Sequence, residues 1–168
     1  MSVTLADILA GAAVFLDANV FVYHFAPHPV LHVPCQQLLE RCAQRELVGY
    51  TSAHVLTNVA HRTMTLEAID RFGWPIAGIA RHMLRHPDEV RQLTRFRRVV
   101  DEIPTFNIQV LPVTAQLVAA AAAITQQVGL LSGDALVVAV MREHGLVNLA
   151  NHDADFDRVP SVRRYSPA

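Results

Sequence analysis

The segment Ala12-Ala13-Val14-Phe15-Leu16-Asp17 determines the fold class of this 168-residue chain. Residues 13–16 predict a first strand, and Asp17 stands where that strand ends. Beyond it, strand-like and helix-like segments alternate, which is typical of an α/β fold with a mostly parallel sheet. We therefore expect an α/β fold in which Asp17 lies at the carboxyl end of a strand.

The remaining elements follow from apolar periodicity and from residues that start or stop helices. Further strands are predicted at 48–50, 108–111, 146–150 and, at the edge, 162–165. Helices are predicted at 19–25, after Pro34 with Leu38, Leu39 and Cys42 inward, from Thr51 or Ser52 to about Met64, from Thr114 to Gly129 and from Ser132 to about Glu143. Glycines and prolines interrupt residues 65–103, where two or three helices are expected.

The composition fits one globular domain, which we assign to residues 1–168. With 52% hydrophobic side chains the chain can fill one core, and little material remains for a second. A net charge of −1 and a pI near 6.7 argue against a general basic field for nucleic acid, but allow a local basic patch. All 14 basic residues are arginine, which excludes a mechanism that needs a catalytic lysine.

Cysteine usage and hydropathy favour a cytoplasmic protein. Cys35 and Cys42 share one face of a predicted helix and are interpreted as small core side chains rather than redox or metal-binding groups. The N-terminus lacks a cationic stretch, and the apolar segment 117–124 is far shorter than the roughly 20 residues of a membrane span. We therefore expect no membrane association.

Three aspartates stand at strand ends or helix starts, although they are distant in sequence. Asp17 ends the first strand, Asp134 opens a helix, and Asp153 follows the apolar run 146–150. Ligands of open α/β sheets gather at the carboxyl ends of strands, so the three carboxylates are expected to converge. Two charges about 4 Å apart repel by roughly 4 kcal/mol at an effective dielectric constant of about 20, and a divalent cation usually keeps such a cluster ionised.

Each aspartate also has an interpretation in which its role is only structural. Asp17 can cap the helix behind it, and Asp153 can nucleate a turn. Asp134 sits in a first helical turn, where the helix dipole favours an anion by about 0.3–1 kcal/mol. For each residue taken singly both interpretations stay open, and the neighbouring residues favour a shared site.

Three blocks around these aspartates resemble the signature motifs of the PIN-domain nucleases. The blocks are Val14-Phe-Leu-Asp17-Ala-Asn19-Val-Phe-Val-Tyr23, Leu131-Ser-Gly-Asp134-Ala-Leu136 and Leu149-Ala-Asn-His-Asp153-Ala-Asp155-Phe156. They occur in the order and at about the separations of that family, and they are most similar to the VapC-type toxins of toxin–antitoxin pairs. The resemblance spans nearly the whole chain, from Val14 to Val159.

The resemblance implies a PIN-like α/β/α sandwich whose acidic pocket binds Mg²⁺ or Mn²⁺ and hydrolyses RNA. By position it makes Asp17, Asp134 and Asp153 metal ligands, with Asn19 and Asp155 as supporting residues. Mg²⁺ needs few carboxylates, and such a metal lowers the pKa of a bound water, so no further cofactor is expected. The implied partners are an RNA substrate, a small antitoxin that blocks the pocket, and a second copy of the chain in a homodimer.

One position departs from the family pattern. On the helix after the second strand, where the family usually has glutamate, this chain has Asn58. Asparagine offers a carbonyl oxygen to a hard cation, but it brings no charge and cannot act as a base. We expect weaker metal binding and a less complete two-metal arrangement. The alternative function is a catalytically impaired PIN fold that serves as an RNA- or protein-binding module.

His54, Asn58 and His61 lie at i, i+4 and i+7, so they share one helix face. One hypothesis is that a histidine compensates for Asn58, as a softer ligand that favours Mn²⁺ or as a base near neutral pH. The other is that both histidines make ordinary polar contacts at the rim of the pocket.

Six arginines between 81 and 98 allow two basic stripes. Arg81 and Arg85 would share one helix face, and Arg91, Arg95 and Arg98 another. Such stripes either contact an RNA backbone or form a solvated helix face. The apolar segment nearby indicates either a dimer surface or core packing, and its residues are Phe72, Trp74, Ile76, Ile79 and Met83.

A strand-terminal aspartate is also compatible with a haloacid-dehalogenase-like phosphohydrolase. That class normally needs a second aspartate two residues later and a lysine further along. This chain has Asn19 and no lysine, which disfavours the assignment.

Overall fold

The computed structural model describes residues 3–168, which are organised around a five-stranded parallel sheet. The strands are β1 (Ala13–Leu16), β2 (Val48–Ser52), β3 (Gln109–Leu111), β4 (Asn148–Ala150) and β5 (Arg163–Tyr165). Their order in the sheet is β3-β2-β1-β4-β5, and every neighbouring pair is parallel. The predicted parallel sheet is confirmed, and the predicted edge strand is β5.

Helices pack on the sheet and complete the expected α/β/α sandwich. They are α1 (Ala18–Phe25), α2 (His32–Ala43), α3 (Ala53–Phe72), α4 (Ile79–Leu84), α5 (Pro87–Val90), α6 (Arg95–Glu102), α7 (Ala115–Val128) and α8 (Ser132–Glu143). The hydroxyl of Ser52 caps α3 by accepting from Val55 N, and that of Thr114 caps α7 by accepting from Leu117 N. The predicted cap at Thr114 is confirmed, and Ser52 rather than Thr51 caps α3. Ser132, predicted to cap α8, is instead its first residue, because Leu131 holds the cap position and makes no side-chain cap.

Within residues 3–168, no single helix combines the length and the apolar character that crossing a membrane requires. The pair α7 and α8 meets the criterion only by length and composition, and its two helices are bent by 113° relative to each other.

The order in which strands are added reverses at β1, which brings the carboxyl ends of β1 and β4 together. From β1 the chain adds β2 and β3 on one side, and it later adds β4 and β5 on the other. The register pairs Leu16 with Ala150, so the next residues, Asp17 and Asn151, emerge side by side. Ligands of open α/β sheets bind at such a switch point, which makes this edge the candidate site.

The main core surrounds the central strand. Phe15 and Leu16 have no exposed surface, and Phe156, in the loop after β4, is equally buried against the same core. Cys35 and Cys42 lie in this core on α2, where burial raises the pKa of each thiol to about 12. The interpretation of both cysteines as core side chains is therefore confirmed.

The helix after β2 is longer than predicted. It continues past Met64 to Phe72 and ends at Gly73, whose φ of 65° gives a left-handed helix end that glycine adopts at little cost. The extension is held by packing, because Glu67 and Ala68 in its last turns are buried against neighbouring elements.

A small second core accounts for most of the apolar segment near α4. Its buried residues are Ala68, Met83 and Leu93, with Phe72, Trp74 and Ile79 among the partly buried side chains packed against them. Ile76 is the exception, with 76% of its surface exposed. Core packing therefore explains most of this segment, while a dimer surface stays a prediction.

The second of the two expected arginine stripes does not form, whereas Arg81, on α4, and Arg85, at the end of α4, keep the spacing of one helix face. Arg91 ends α5, whereas Arg95 and Arg98 lie on α6, so the three do not belong to one helix. Arg91 forms an exposed ion pair with Asp88, and Arg95 forms one with Asp70. The break between α5 and α6 thus removes the geometry of the Arg91, Arg95 and Arg98 stripe, and a contact of Arg81 and Arg85 with RNA stays a prediction.

Candidate active site at the carboxyl ends of β1 and β4

Asp17 is a buried carboxylate at the end of the central strand. Only 8% of its surface is exposed. Its Oδ1 accepts a hydrogen bond from Ala18 N at 2.7 Å, which caps α1, and its Oδ2 accepts one from Asn151 Nδ2. The helix-capping interpretation is therefore correct, and it coexists with a second role, because the same side chain lines a cavity.

Asn151 is the centre of the hydrogen-bond network around Asp17. It is 1% exposed, and its Oδ1 accepts from Asn19 Nδ2 at 2.7 Å and from Asp153 N. Asn19 Oδ1 in turn accepts from His152 N at 3.3 Å. Asn19 thus makes its side-chain contact at the pocket through Asn151, which ties the end of β1 to the loop after β4, and its supporting role stays a prediction.

The sequence reasoning assigned no role to Asn151. The signal was present, because Asn151 directly follows the apolar end of β4 as Asp17 follows β1. Only the strand register shows that these two positions are neighbours.

Asp134 and Asp153 reach the same cavity from other parts of the chain. Asp134 lies half-buried in the first turn of α8. Asp153 is exposed and caps a 3-10 turn, Ala154–Arg158, by accepting from Asp155 N at 2.9 Å. The turn-forming interpretation of Asp153 therefore also holds beside its position at the cavity.

The cavity has a volume of about 250 Å³ and brings the three predicted aspartates together. Its other lining residues are Ala18, Asn19, Asn58, His61, Arg62, Gly133, Val137 and Asn151. The acids come from the end of β1, the start of α8 and the loop after β4, so the site joins segments that are distant in sequence.

Burial and mutual repulsion disfavour ionisation of two of these acids. The pKa of Asp17 is raised to about 6, mainly by burial and also by the negative charge of Asp134, against the opposing hydrogen bond from Ala18 N. The pKa of Asp134 is raised first by burial, then by the charges of Asp153 and Asp155. A cation in the cavity would offset both effects, so the electrostatics favour a positively charged ligand.

Asn58 lies at the cavity, where the family pattern places an acid. Its Nδ2 donates to His54 Nε2 at 3.2 Å, which leaves Oδ1 without that partner. His61 lines the cavity, whereas His54 lies beside the first turn of α8, and a positive charge on it lowers the pKa of Asp134. One histidine therefore reaches the rim, and the other positions Asn58.

Asp155 stands back from the cavity. It is exposed and forms an ion pair with Arg158. Its side chain acts on the site electrostatically, by raising the pKa of Asp134, and its backbone N donates to Asp153 Oδ1.

The three carboxylates share a cavity without meeting at one point. Across residues 3–168, no group of three or more His, Cys, Asp or Glu side chains is already close enough to hold a metal ion. The oxygen donors nevertheless suit a hard cation that retains several of its own waters. The arrangement therefore fits a hydrated divalent ion better than one enclosed by protein ligands.

The sequence model of the PIN domain matches residues 14–162 of this chain. Among solved structures, VapBC2 from Rickettsia felis bound to a DNA fragment from its promoter is similar, with a TM-score of 0.58 and 15% identity over 92% of this chain and 98% of that one. A toxin–antitoxin complex from Klebsiella pneumoniae is similar with a TM-score of 0.57, the same identity and the same coverage. No curated protein sequence matches this chain significantly.

Proposed function

The chain belongs to the PIN-domain family, and from that premise we propose that it is a metal-dependent endoribonuclease, the toxin of a type II toxin–antitoxin pair. The observation that carries the proposal is the cavity into which Asp17, Asp134 and Asp153 converge from three distant segments. An acidic cavity at a switch point of the sheet is where such chemistry is expected.

Asp17, Asp134 and Asp153 are the residues that would hold the cation, with Asn58 contributing its carbonyl oxygen. When bound, a divalent ion would lower the pKa of a water nucleophile and neutralise charge that develops on the phosphate. Mg²⁺ and Mn²⁺ both suit a site built from carboxylate and amide oxygens.

The neutral residues of the site act by positioning. Asn151 and Ala18 N hold both oxygens of Asp17, so its carboxylate has a fixed orientation. Asn151 also accepts from the backbone of Asp153, which fixes the loop after β4 relative to β1. This network would keep two of the acids in place before substrate arrives, which reduces the reorganisation that the reaction requires.

The proposed partners follow from the family and the similar structures. Both solved structures named above are toxin–antitoxin assemblies, which supports a small antitoxin as the partner of this chain. We expect the antitoxin to block the acidic cavity, and we expect a homodimer acting on RNA in the cytoplasm.

A second candidate is a PIN fold that binds RNA or protein without cleaving it. Asn58 favours this alternative, because it removes one negative charge from the cavity.

The deciding experiment measures cleavage of a mixed-sequence RNA with Mg²⁺, Mn²⁺ or EDTA. Asp134→Asn should abolish metal-dependent cleavage, because it removes a carboxylate without changing the size of the side chain. Asp101→Asn is the matched control, since Asp101 is exposed on α6 and does not line the cavity. Cleavage by wild type and by the control alone supports the nuclease. No cleavage by wild type, together with no metal binding by calorimetry, supports the binding module instead.

A further inference from the structure

Arg62 is a basic residue inside an otherwise acidic site. Of the arginines in residues 3–168, it alone lines the cavity that holds Asp17, Asp134 and Asp153. It is exposed, so its guanidinium remains open to solvent and to a ligand. No motif in the sequence assigns a role to Arg62.

Arg62 and Asn58 reach the cavity from one face of α3. They are four residues apart, a spacing that places side chains one above the other on a helix. The helix starts at the carboxyl end of β2, so this face is directed towards the edge of the sheet where Asp17 lies. Asn58, which stands where the family usually has glutamate, is therefore a neighbour of Arg62 on α3.

The guanidinium affects the site without being neutralised by it. Its positive charge lowers the pKa of Asp17, which shows that the two groups interact through space. Yet within residues 3–168 Arg62 forms no ion pair and donates no hydrogen bond, unlike Arg158 and Arg164 nearby, which pair with Asp155 and Asp157. Its donors remain available for an anion that enters the cavity.

The charge of the cavity suits one divalent ion and an anionic ligand. Three ionised aspartates and Arg62 give a net formal charge of −2, which one divalent cation would balance. A glutamate at position 58 would add a further negative charge and favour a second cation. With Asn58 in that place, Arg62 is the permanently charged cation of the cavity lining that can stabilise charge on a bound phosphate.

We propose that Arg62 binds the phosphate group at which the RNA is cleaved, in the role that a second metal ion would otherwise have. The planar guanidinium donates two parallel hydrogen bonds to phosphate oxygens, and it cannot lose its charge near neutral pH. This inference rests on the proposed nuclease function. It specifies that the site works with one metal ion and one arginine, and that Arg62 contacts substrate directly.

A binding experiment tests the contact independently of catalysis. A fluorescein-labelled RNA 12-mer is titrated, in EDTA and at several salt concentrations, with Asp134→Asn protein that either keeps Arg62 or carries Arg62→Gln. Loss of one phosphate contact should weaken binding and reduce the slope of log K against log salt by about 1. Arg45→Gln in the same background is the control. Arg45 is exposed and lies just before β2, at the amino ends of the strands, whereas the cavity lies at their carboxyl ends.

A cleavage experiment then tests the role in the reaction. In otherwise wild-type protein, Arg62→Gln should lower kcat/KM by about 100-fold, a loss typical of removing one donor to a developing charge. Arg62→Lys should recover part of that activity, because it restores the charge without the two parallel donors. Arg45→Gln should cleave like wild type, and circular dichroism should show all variants folded.

The outcomes separate this inference from the proposed function. If wild type cleaves RNA and Arg62→Gln matches it in both rate and salt slope, the role of Arg62 is refuted and the nuclease stands. If wild type does not cleave but Arg62→Gln still flattens the salt slope, the nuclease fails and the phosphate contact stands. If Arg62→Gln and Arg45→Gln change binding equally, the contact is nonspecific and the inference is overturned.

Discussion

At the scale of single residues, Asp17 combines a structural cost with a structural benefit. Its two carboxylate oxygens accept hydrogen bonds from Ala18 N and Asn151 Nδ2, which stabilise the end of β1. Burial nevertheless raises its pKa to about 6, from 3.8 in an unperturbed chain. The folded protein therefore holds a proton on Asp17 at pH values where the unfolded chain has released it.

This difference predicts how stability changes with pH in the metal-free protein. Below about pH 4 the carboxyl is protonated in both states, and as pH rises from 4 through 6 the unfolded state loses its proton first. The free energy of unfolding should therefore fall across this window by about 3 kcal/mol, and Asp17 should cause no further change above it. Urea unfolding in EDTA between pH 4 and 8 measures the effect.

Asp17→Asn should abolish that part of the pH dependence. At pH 7 it should also raise the free energy of unfolding by about 1–2 kcal/mol, because the gain from removing a buried charge is reduced by one lost acceptor. Asp101→Asn should keep the wild-type pH profile. A parallel profile for wild type and Asp17→Asn would show that Asp17 does not carry the raised pKa.

At the scale of elements, a buried acid joins two helices. Glu67 on α3 is 5% exposed, and its carboxylate accepts from Thr94 N at 3.0 Å and from Arg95 N at 2.8 Å. These are free N–H groups at the start of α6, where a negative charge is favoured by the helix dipole. The side chain of Thr94 makes no cap of its own, so Glu67 supplies the cap from a different helix.

Glu67→Gln is accordingly expected to destabilise the protein. Glutamine keeps one acceptor and introduces a donor beside two backbone donors, so the free energy of unfolding should fall by about 1–3 kcal/mol. Glu143→Gln, an exposed change on α8, should have little effect. Urea denaturation compares the two, and hydrogen exchange should show faster exchange at residues 94 and 95 only in Glu67→Gln. Equal stability of both variants would contradict the capping role.

Helix α3 shows why some features of the fold could be predicted from the sequence and others could not. Local signals located the strands and the caps of α3 and α7, because short apolar runs and Ser or Thr before a helix act within a few residues. The end of α3 was missed, since its last turns depend on Glu67 packing against α6. Glu67 precedes Thr94 by 27 residues and Arg95 by 28, and no local sequence pattern spans such a distance.

In the candidate site, too, some residues could be predicted from the sequence and others could not. The shared cavity of Asp17, Asp134, Asp153 and Asn19 was predictable, because each lies in a block that resembles a PIN-domain motif, and their role in metal binding stays a prediction. Asn151 and Arg62 were not predicted, since their roles depend on strand register and on which face of α3 meets the cavity. Identification of an acidic site was therefore possible from sequence, whereas its neutral and positive members required the fold.

At the scale of the whole molecule, the cavity exists only in the folded chain, which predicts that metal binding stabilises the fold. Its acids come from three segments that converge only in the folded chain, so a divalent ion should bind the folded state far better than the unfolded one. At 100 times the dissociation constant, Mn²⁺ should then stabilise the fold by about 2.7 kcal/mol. For a chain of this length, that corresponds to a rise in Tm of roughly 5–10 °C.

The rise in Tm should be larger at pH 7.5 than at pH 5, because Mn²⁺ must displace a proton from Asp17 at the lower pH. Differential scanning calorimetry with Mn²⁺ or EDTA measures both values. Asp134→Asn should reduce the shift, and Asp101→Asn should not. An equal shift in wild type and Asp134→Asn would mean that the ion binds elsewhere.

The position of β4 in the chain has a consequence for biosynthesis. Asp17 and Arg62 are translated early, but Asn151 and Asp153 follow β4, which joins the sheet beside β1 only after most of the chain has been made. A nascent polypeptide that has not reached β4 therefore lacks both the support of Asp17 and the third acid. If the chain is the ribonuclease proposed above, a ribosome that translates it is exposed to a complete acidic site only after synthesis has passed residue 153.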